Sequence, residues 1–208
     1  MNETLSIPKN PKGIIVFAHG SGSSQLSARN RMVAQSLQNK GFATLLFDLL
    51  SSEEIDSASN IFDISLLTRR LLAKLREIEI NPRLAGLPIG LYGSSTGAAA
   101  ALKAASILGS RIQAVVSRGG RPDLVMFNLP GVTAATLLIV GEKDRDVLHL
   151  NQRALAALRT GKLSIVPSAS HLFEEAGALE MVSDLSAQWF SKYLLTPARE
   201  PKRIPEVA

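Results

Sequence analysis

With 208 residues, 46% of them hydrophobic, the chain is long enough for one compact domain with a sizeable core. It has no cysteine, which excludes disulfides, thiolate metal sites and a cysteine nucleophile together and fits a reducing cytoplasm. The net charge of +5 comes from scattered basic residues without an aromatic-interleaved stripe, no apolar run can span a membrane, and the polar N-terminus is not a signal peptide, so nucleic acid and membrane are not expected partners.

Short apolar runs alternate with amphipathic stretches. Thr4 to Ile7 reads as a short edge strand, Gly13 to Ala18 as a buried strand, and Leu26 to Lys40 as a helix closed by Gly41. Ala43 to Asp48 is the next strand, and Ser51 to Asn60 a polar, acidic loop. Ile61 to Glu79 reads as a helix with Asn60 as its N-cap and Asn81-Pro82 as its stop. Leu87 to Tyr92 is a strand, Ser95 to Leu108 a helix, and Ile112 to Ser117 and Thr136 to Val140 are further strands. A helix from about Val147 to Arg159, a strand from Leu163 to Pro167 and a helix from Leu179 to Leu194 follow. Residues 1–195 then form a single domain, and Thr196 to Ala208, with three prolines, reads as a loose tail. The apolar runs lack alternation, as in strands covered on both faces. The pattern predicts an α/β fold, a mostly parallel sheet with helices on both faces.

The segment Gly93-Ser94-Ser95-Thr96-Gly97 lies between a predicted strand and an alanine-rich helix. This is G-x-S-x-G in the context of a nucleophile elbow. The central residue, Ser95, has to project its hydroxyl from a sharp turn at the carboxyl end of the strand. Gly93 and Gly97 leave room for that turn against neighbouring backbone, and Ala98 to Ala101 let the helix lie close to the sheet.

A serine hydroxyl needs a base, and the base needs an orienting carboxylate. His149 and His171 follow Ser95 in the chain. His149 falls inside a predicted helix, whereas His171 sits in a loop after a strand, the place for a catalytic base. For the carboxylate, Asp144 is placed best, by a short turn beginning at Gly141. Asp123 ranks second, Asp146 reads as the start of a helix, and Glu142 as solvated or paired nearby. The oxyanion calls for backbone N–H donors, assigned to Thr96 and to Ser21 in the loop His19 to Ser24, with His19 bracing that loop. This loop lacks both the G-K-[ST] ending and the G-x-G-x-x-G spacing of a phosphate cradle. Arg118 and Arg121, in Ser117 to Asp123, suit either a clamp on a substrate carboxylate or phosphate or a structural pair with Asp123 or Asp144. No long insertion follows that strand, so the cap should be minimal or absent.

The chain resembles an α/β-hydrolase of the dienelactone hydrolase-like group over about Lys12 to Leu194. Besides the elbow, the resemblance is carried by FAHGSGSS, RNRMVAQSL, FDISLLTRRL, VVSRGGRPDL, LLIVGEKDRDVLHLN and HLFEEAGALE. It is strongest to the modules that some bacteria join to a phosphoribosyltransferase. The resemblance implies Ser95 as nucleophile, Asp144 as acid, His171 as base, Ser21 and Thr96 at the oxyanion hole, and an eight-stranded, mostly parallel sheet. Dienelactone hydrolases proper carry cysteine where this chain has Ser95, which favours a general esterase, and little chain precedes Gly13 to form the usual first strands. The reading is a serine hydrolase of small-molecule carboxylic esters, favouring anionic ones, that needs no cofactor and no metal. An acyltransferase using the same triad and a non-catalytic hydrolase-like binding module are the alternatives.

Overall fold

A computed structural model describes residues 2–194 apart from residues 22, 52 and 56; the expected tail, 196–208, lies outside the described residues. Seven strands share one sheet: β1 (Glu3–Ser6), β2 (Ile14–Ala18), β3 (Ala43–Phe47), β4 (Ile89–Ser94), β5 (Ile112–Arg118), β6 (Ala135–Gly141) and β7 (Gly161–Val166). Their order is β1-β3-β2-β4-β5-β6-β7, with β1 antiparallel to β3 and every other pairing parallel. Seven among the described residues is one fewer than the eight strands the resemblance implies.

The helices are α1 (Ala28–Asn39), α2 (Ala58–Phe62), α3 (Ile64–Ile80), α4 (Thr96–Leu108), α5 (Arg145–Ala157) and α6 (Ala178–Tyr193). Successive strand residues point to opposite faces, so Ile14 and Val16 join one core and Ile15 and Phe17 the other. The first core includes Leu71 and Leu75 of α3, Ala100 of α4 and Ala154 of α5; the second includes Val33 and Leu37 of α1 and Val182 and Phe190 of α6. β2 to β6 are buried almost throughout, as their unbroken apolar runs predict. β7 is largely exposed, because it is an edge strand paired only with β6.

Two local expectations change. The single helix expected over Ile61 to Glu79 is broken at Asp63, whose carboxylate accepts the Leu66 N–H and caps α3. Asp and Asn cap about equally well as acceptors, and the positive end of the helix adds a favourable interaction with the carboxylate. Asn60 therefore lies inside α2, where its side chain donates to the Glu54 carbonyl. The stretch Pro122–Gly131, for which the pattern predicts no element, forms 3₁₀ turns. No cap domain follows β5.

The chain leaves β2 toward β3 on one side, while β4 and its successors extend the sheet on the other. Between β2 and β4 the sheet therefore has a switch point, and the crevice at the carboxyl ends of such strands is where open α/β sheets bind ligands. The loop after β2 begins with His19, and the turn after β4 is the elbow. Helix α4 is drawn in tightly there, with Ala98 to Ala101 fully buried. A Cβ on Gly93 would lie 2.4 Å from the Ala98 Cα, and one on Gly97 would lie 2.2 Å from the Ala18 carbonyl oxygen. Both obstacles are backbone and cannot rotate away. Gly97→Ala should therefore cost about 3 kcal/mol or more, the upper end of the overpacking range, read as a lowered urea midpoint with an unchanged m-value.

Candidate active site

Ser95 is the N-cap residue of α4 and has φ 50° and ψ −122°. A non-glycine residue in this conformation is strained and persists only when its surroundings hold it. Here its N–H donates to the Arg118 carbonyl at 3.3 Å, and its carbonyl accepts from the Arg121 N–H at 3.2 Å and the Ala98 N–H at 3.1 Å. Thr96 is the first helical residue, so its N–H precedes the intrahelical ladder and is available to a ligand.

Asp144 and His171 are 27 residues apart in the chain and meet at 2.6 Å, Asp144 Oδ2 to His171 Nδ1. Two backbone links stitch their loops: Glu142 N–H to the Val166 carbonyl at 3.0 Å and Lys143 N–H to the Ala169 carbonyl at 2.9 Å. The Glu142 carboxylate accepts the Ser168 N–H at 2.7 Å, so this residue braces the loop that carries His171. A Cβ on Gly141 would lie 2.4 Å from the Ala169 carbonyl oxygen, so only glycine lets the acid turn come this close. Asp146 falls in the first turn of α5, and Asp123 is engaged by Arg121. A carboxylate only accepts, so in the neutral ring Nδ1 carries the hydrogen and Nε2 keeps its lone pair. Gly119, with φ 51°, lies close to the ring: a Cβ there would be 3.3 Å from His171 Cε1.

The loop after β2 is tied to the elbow through the two hydroxyls that flank Ser95. The Gly20 N–H donates to Ser94 Oγ, and the Ser21 N–H donates to Thr96 Oγ1, each at 3.1 Å. Ser21 and Thr96 are thus brought together, with the Ser21 N–H engaged by the Thr96 hydroxyl. His19 is buried. Its Nε2 accepts the Leu49 N–H at 2.9 Å, which leaves Nδ1 to donate to the Gly20 carbonyl at 3.0 Å. Burial holds its pKa below the ordinary range, partly offset by the Gly20 carbonyl and the Asp48 charge. It braces the loop as a neutral ring. The roles of Ser94 and His19 depend on contacts across the sheet, which a linear pattern does not carry.

A cavity of about 350 Å³ opens over these residues, lined by Gly20, Ser21, Ser23, Arg29, Ser94, Ser95, Arg118, His171 and Leu172. Arg118 is buried and lines it. Arg121 does not: its Nε and Nη2 each bond to the Asp123 carboxylate at 2.8 Å, the structural pairing. Arg29, near the start of α1, also lines the cavity, and its only signal in the sequence is its place in RNRMVAQSL. His149 lies on α5, away from this constellation. Among the described residues, no group of three or more His, Asp or Glu is placed to hold a metal ion, and no helix is long and apolar enough to cross a membrane.

Residues 1–184 match the model of the dienelactone hydrolase family. Two Mycobacterium tuberculosis proteins named phosphoribosyl transferase, from different strains, are 54% identical over 195 residues. The match covers 93% of this chain and 44% of theirs, so the chain spans less than half the length of these relatives. Among solved structures, dienelactone hydrolase from Anabaena variabilis is 51% identical with a TM-score of 0.89, covering 92% of this chain and 91% of that one. Est1E from Butyrivibrio proteoclasticus shares the fold, with a TM-score of 0.80 at 15% identity, over 91% of this chain and 93% of its own.

The His19 contacts carry a pH dependence. The unfolded chain takes up a proton near about pH 6.5, whereas the folded ring resists until lower pH. Its contribution to stability is complete above that value and is lost as the pH falls toward the folded pKa. Between pH 7 and pH 5, urea unfolding of the His19→Gln protein should lose less free energy than that of wild type. Parallel losses would remove His19 from this role.

Proposed function

The chain belongs to the dienelactone hydrolase family, and from that premise we propose that it hydrolyses carboxylic esters through a Ser95–His171–Asp144 triad. The observation that carries the proposal is the 2.6 Å Asp144–His171 contact at a cavity that Ser95 also lines from its strained elbow. His171 Nε2 takes the proton as Ser95 Oγ attacks the acyl carbon, and Asp144 stabilises the imidazolium. The charge on the carbonyl oxygen is met by the Thr96 N–H and by the Ser21 N–H, which turns from Thr96 Oγ1 to the new and stronger acceptor. His171 then gives its proton to the leaving alcohol. Water, deprotonated by the same ring, attacks the acyl-enzyme, releases the acid and restores Ser95.

Serine in place of cysteine supports a general ester substrate rather than a dienelactone. The His171 side chain is 41% exposed, so water has access to the base, which favours hydrolysis over acyl transfer. Arg118 supports a preference for anionic esters, while the pairing of Arg121 with Asp123 removes Arg121 from that part. The relatives' name, phosphoribosyl transferase, describes proteins of more than twice the matched length and is not carried over.

Ser95→Ala should lower kcat/KM on p-nitrophenyl esters by about 10⁴-fold or more and abolish labelling by a fluorophosphonate probe. His171→Ala should have a comparable effect, and Asp144→Asn should leave the imidazole in the wrong tautomer. Full activity in folded Ser95→Ala protein would overturn the assignment.

A further inference from the structure

Two guanidinium groups line the cavity that holds Ser95 and His171, and both are short of acceptors. Arg118, the last residue of β5, is 7% exposed, and its Nε and Nη1 are buried with no hydrogen-bond partner among the described residues. Among those residues no carboxylate lies within ion-pair distance of it. Its nearest compensation is the face of Phe173, whose ring centre is 5.9 Å from the guanidinium carbon. A buried cation without a counter-charge is costly, and a fixed fork of donors beside a nucleophile is suited to an oxyanion group.

Arg29 adds a second fork. Its Nε is buried without a partner, while its Nη1 is 3.0 Å from Glu174 Oε1. The side chains of this pair are 33% and 64% exposed, and a solvated pair of this kind is weakly held. Both arginines therefore lean on the segment that carries the base, Arg118 on Phe173 and Arg29 on Glu174.

The sheet register places this charge close to the chemistry. Arg118 is the β5 partner of Ser94, so its backbone lies about one strand spacing, ~4.8 Å, from the residue before the nucleophile. We infer that Arg118 and Arg29 form a subsite for a carboxylate or phosphate carried on the substrate near the scissile ester, with Arg29 leaving Glu174 to reach it. The identity of the substrate as an ester rests on the function proposed above; the subsite itself depends only on these side chains.

Two measurements test it. The first compares kcat/KM for the p-nitrophenyl monoester of adipate with that for p-nitrophenyl hexanoate, acyl chains of equal length with and without a charge. Wild type should prefer the charged ester by at least about tenfold. Arg29→Gln and Arg118→Gln should each cut that ratio about tenfold, and Glu174→Gln should raise it by freeing Arg29. A ratio that is the same in wild type and in all three variants overturns the inference. The second uses Ser95→Ala protein and calorimetric titration with adipate and with inorganic phosphate, and so does not depend on turnover. Saturable binding that is lost on adding Arg29→Gln, with an unchanged circular-dichroism spectrum to show that the variant is folded, supports the subsite. The tighter of the two ligands identifies carboxylate or phosphate as the source. No binding of either ligand, or binding that survives Arg29→Gln, overturns it. If no ester is turned over, the ester reading fails and the titration alone decides the subsite.

Discussion

The site depends on one close approach of backbone to backbone. Gly97, at the start of α4, lies so near the end of β2 that a Cβ would fall 2.2 and 2.3 Å from the carbonyl oxygens of Ala18 and His19. That approach presses the elbow against the loop after β2 and holds Ser95 at φ 50°. A conformation costing about 1–3 kcal/mol on its own is sustained because the sheet, α4 and the Arg118 and Arg121 backbone fix it from several sides. The same approach brings the Ser94 and Thr96 hydroxyls within reach of the Gly20 and Ser21 N–H groups. The elbow of Ser95 and the loop of Ser21 are thus a single mechanical unit.

Asp144 and His171 form a second unit, built on the ends of β6 and β7. Strand pairing carries Gly141 opposite Val166, and the backbone bonds of Glu142 and Lys143 continue that pairing into the loops. Ser168 and Phe173, the other described non-glycine residues with positive φ, flank His171. Among the described residues, positive φ at non-glycine positions is therefore confined to the segments around Ser95 and His171, and the regular core on either side of the sheet supports it. The units are joined by Gly119 and Gly120 at the end of β5. Gly119 packs against the His171 ring, and the Gly120 carbonyl is held at 3.0 Å by the buried Asn151 of α5.

Much of this was legible in one dimension. The unbroken apolar runs from β2 to β6 follow from burial on both faces, and the parallel pairing of the strands follows from helices placed between them. G-x-S-x-G marks a turn that only glycines at its ends permit, and Gly141 followed by Asp144 marks a tight turn wherever it is placed. The helix break at Asp63 was missed because the apolar period continues through it, so only the capping bond reveals it. The 3₁₀ stretch after β5 was missed because its two prolines and mixed polarity give no clean period.

The sequence by itself determined the layered fold, the elbow and the residue types that can act as nucleophile, acid and base, because each follows from local sterics or from a periodic pattern of burial. Only the tertiary structure decided which carboxylate meets His171, which arginine is satisfied and which is not, and what holds the loop of Ser21. Apart from the local Arg121–Asp123 pair, those are contacts between residues 27 to 145 positions apart, and their partners are chosen by strand order and helix packing, which no local pattern encodes. Asp123 and Asp144 are alike as side chains. Asp123 sits two residues from Arg121 and neutralises it, while Asp144 stands at the end of β6 beside the loop of β7, and that placement gives it the histidine.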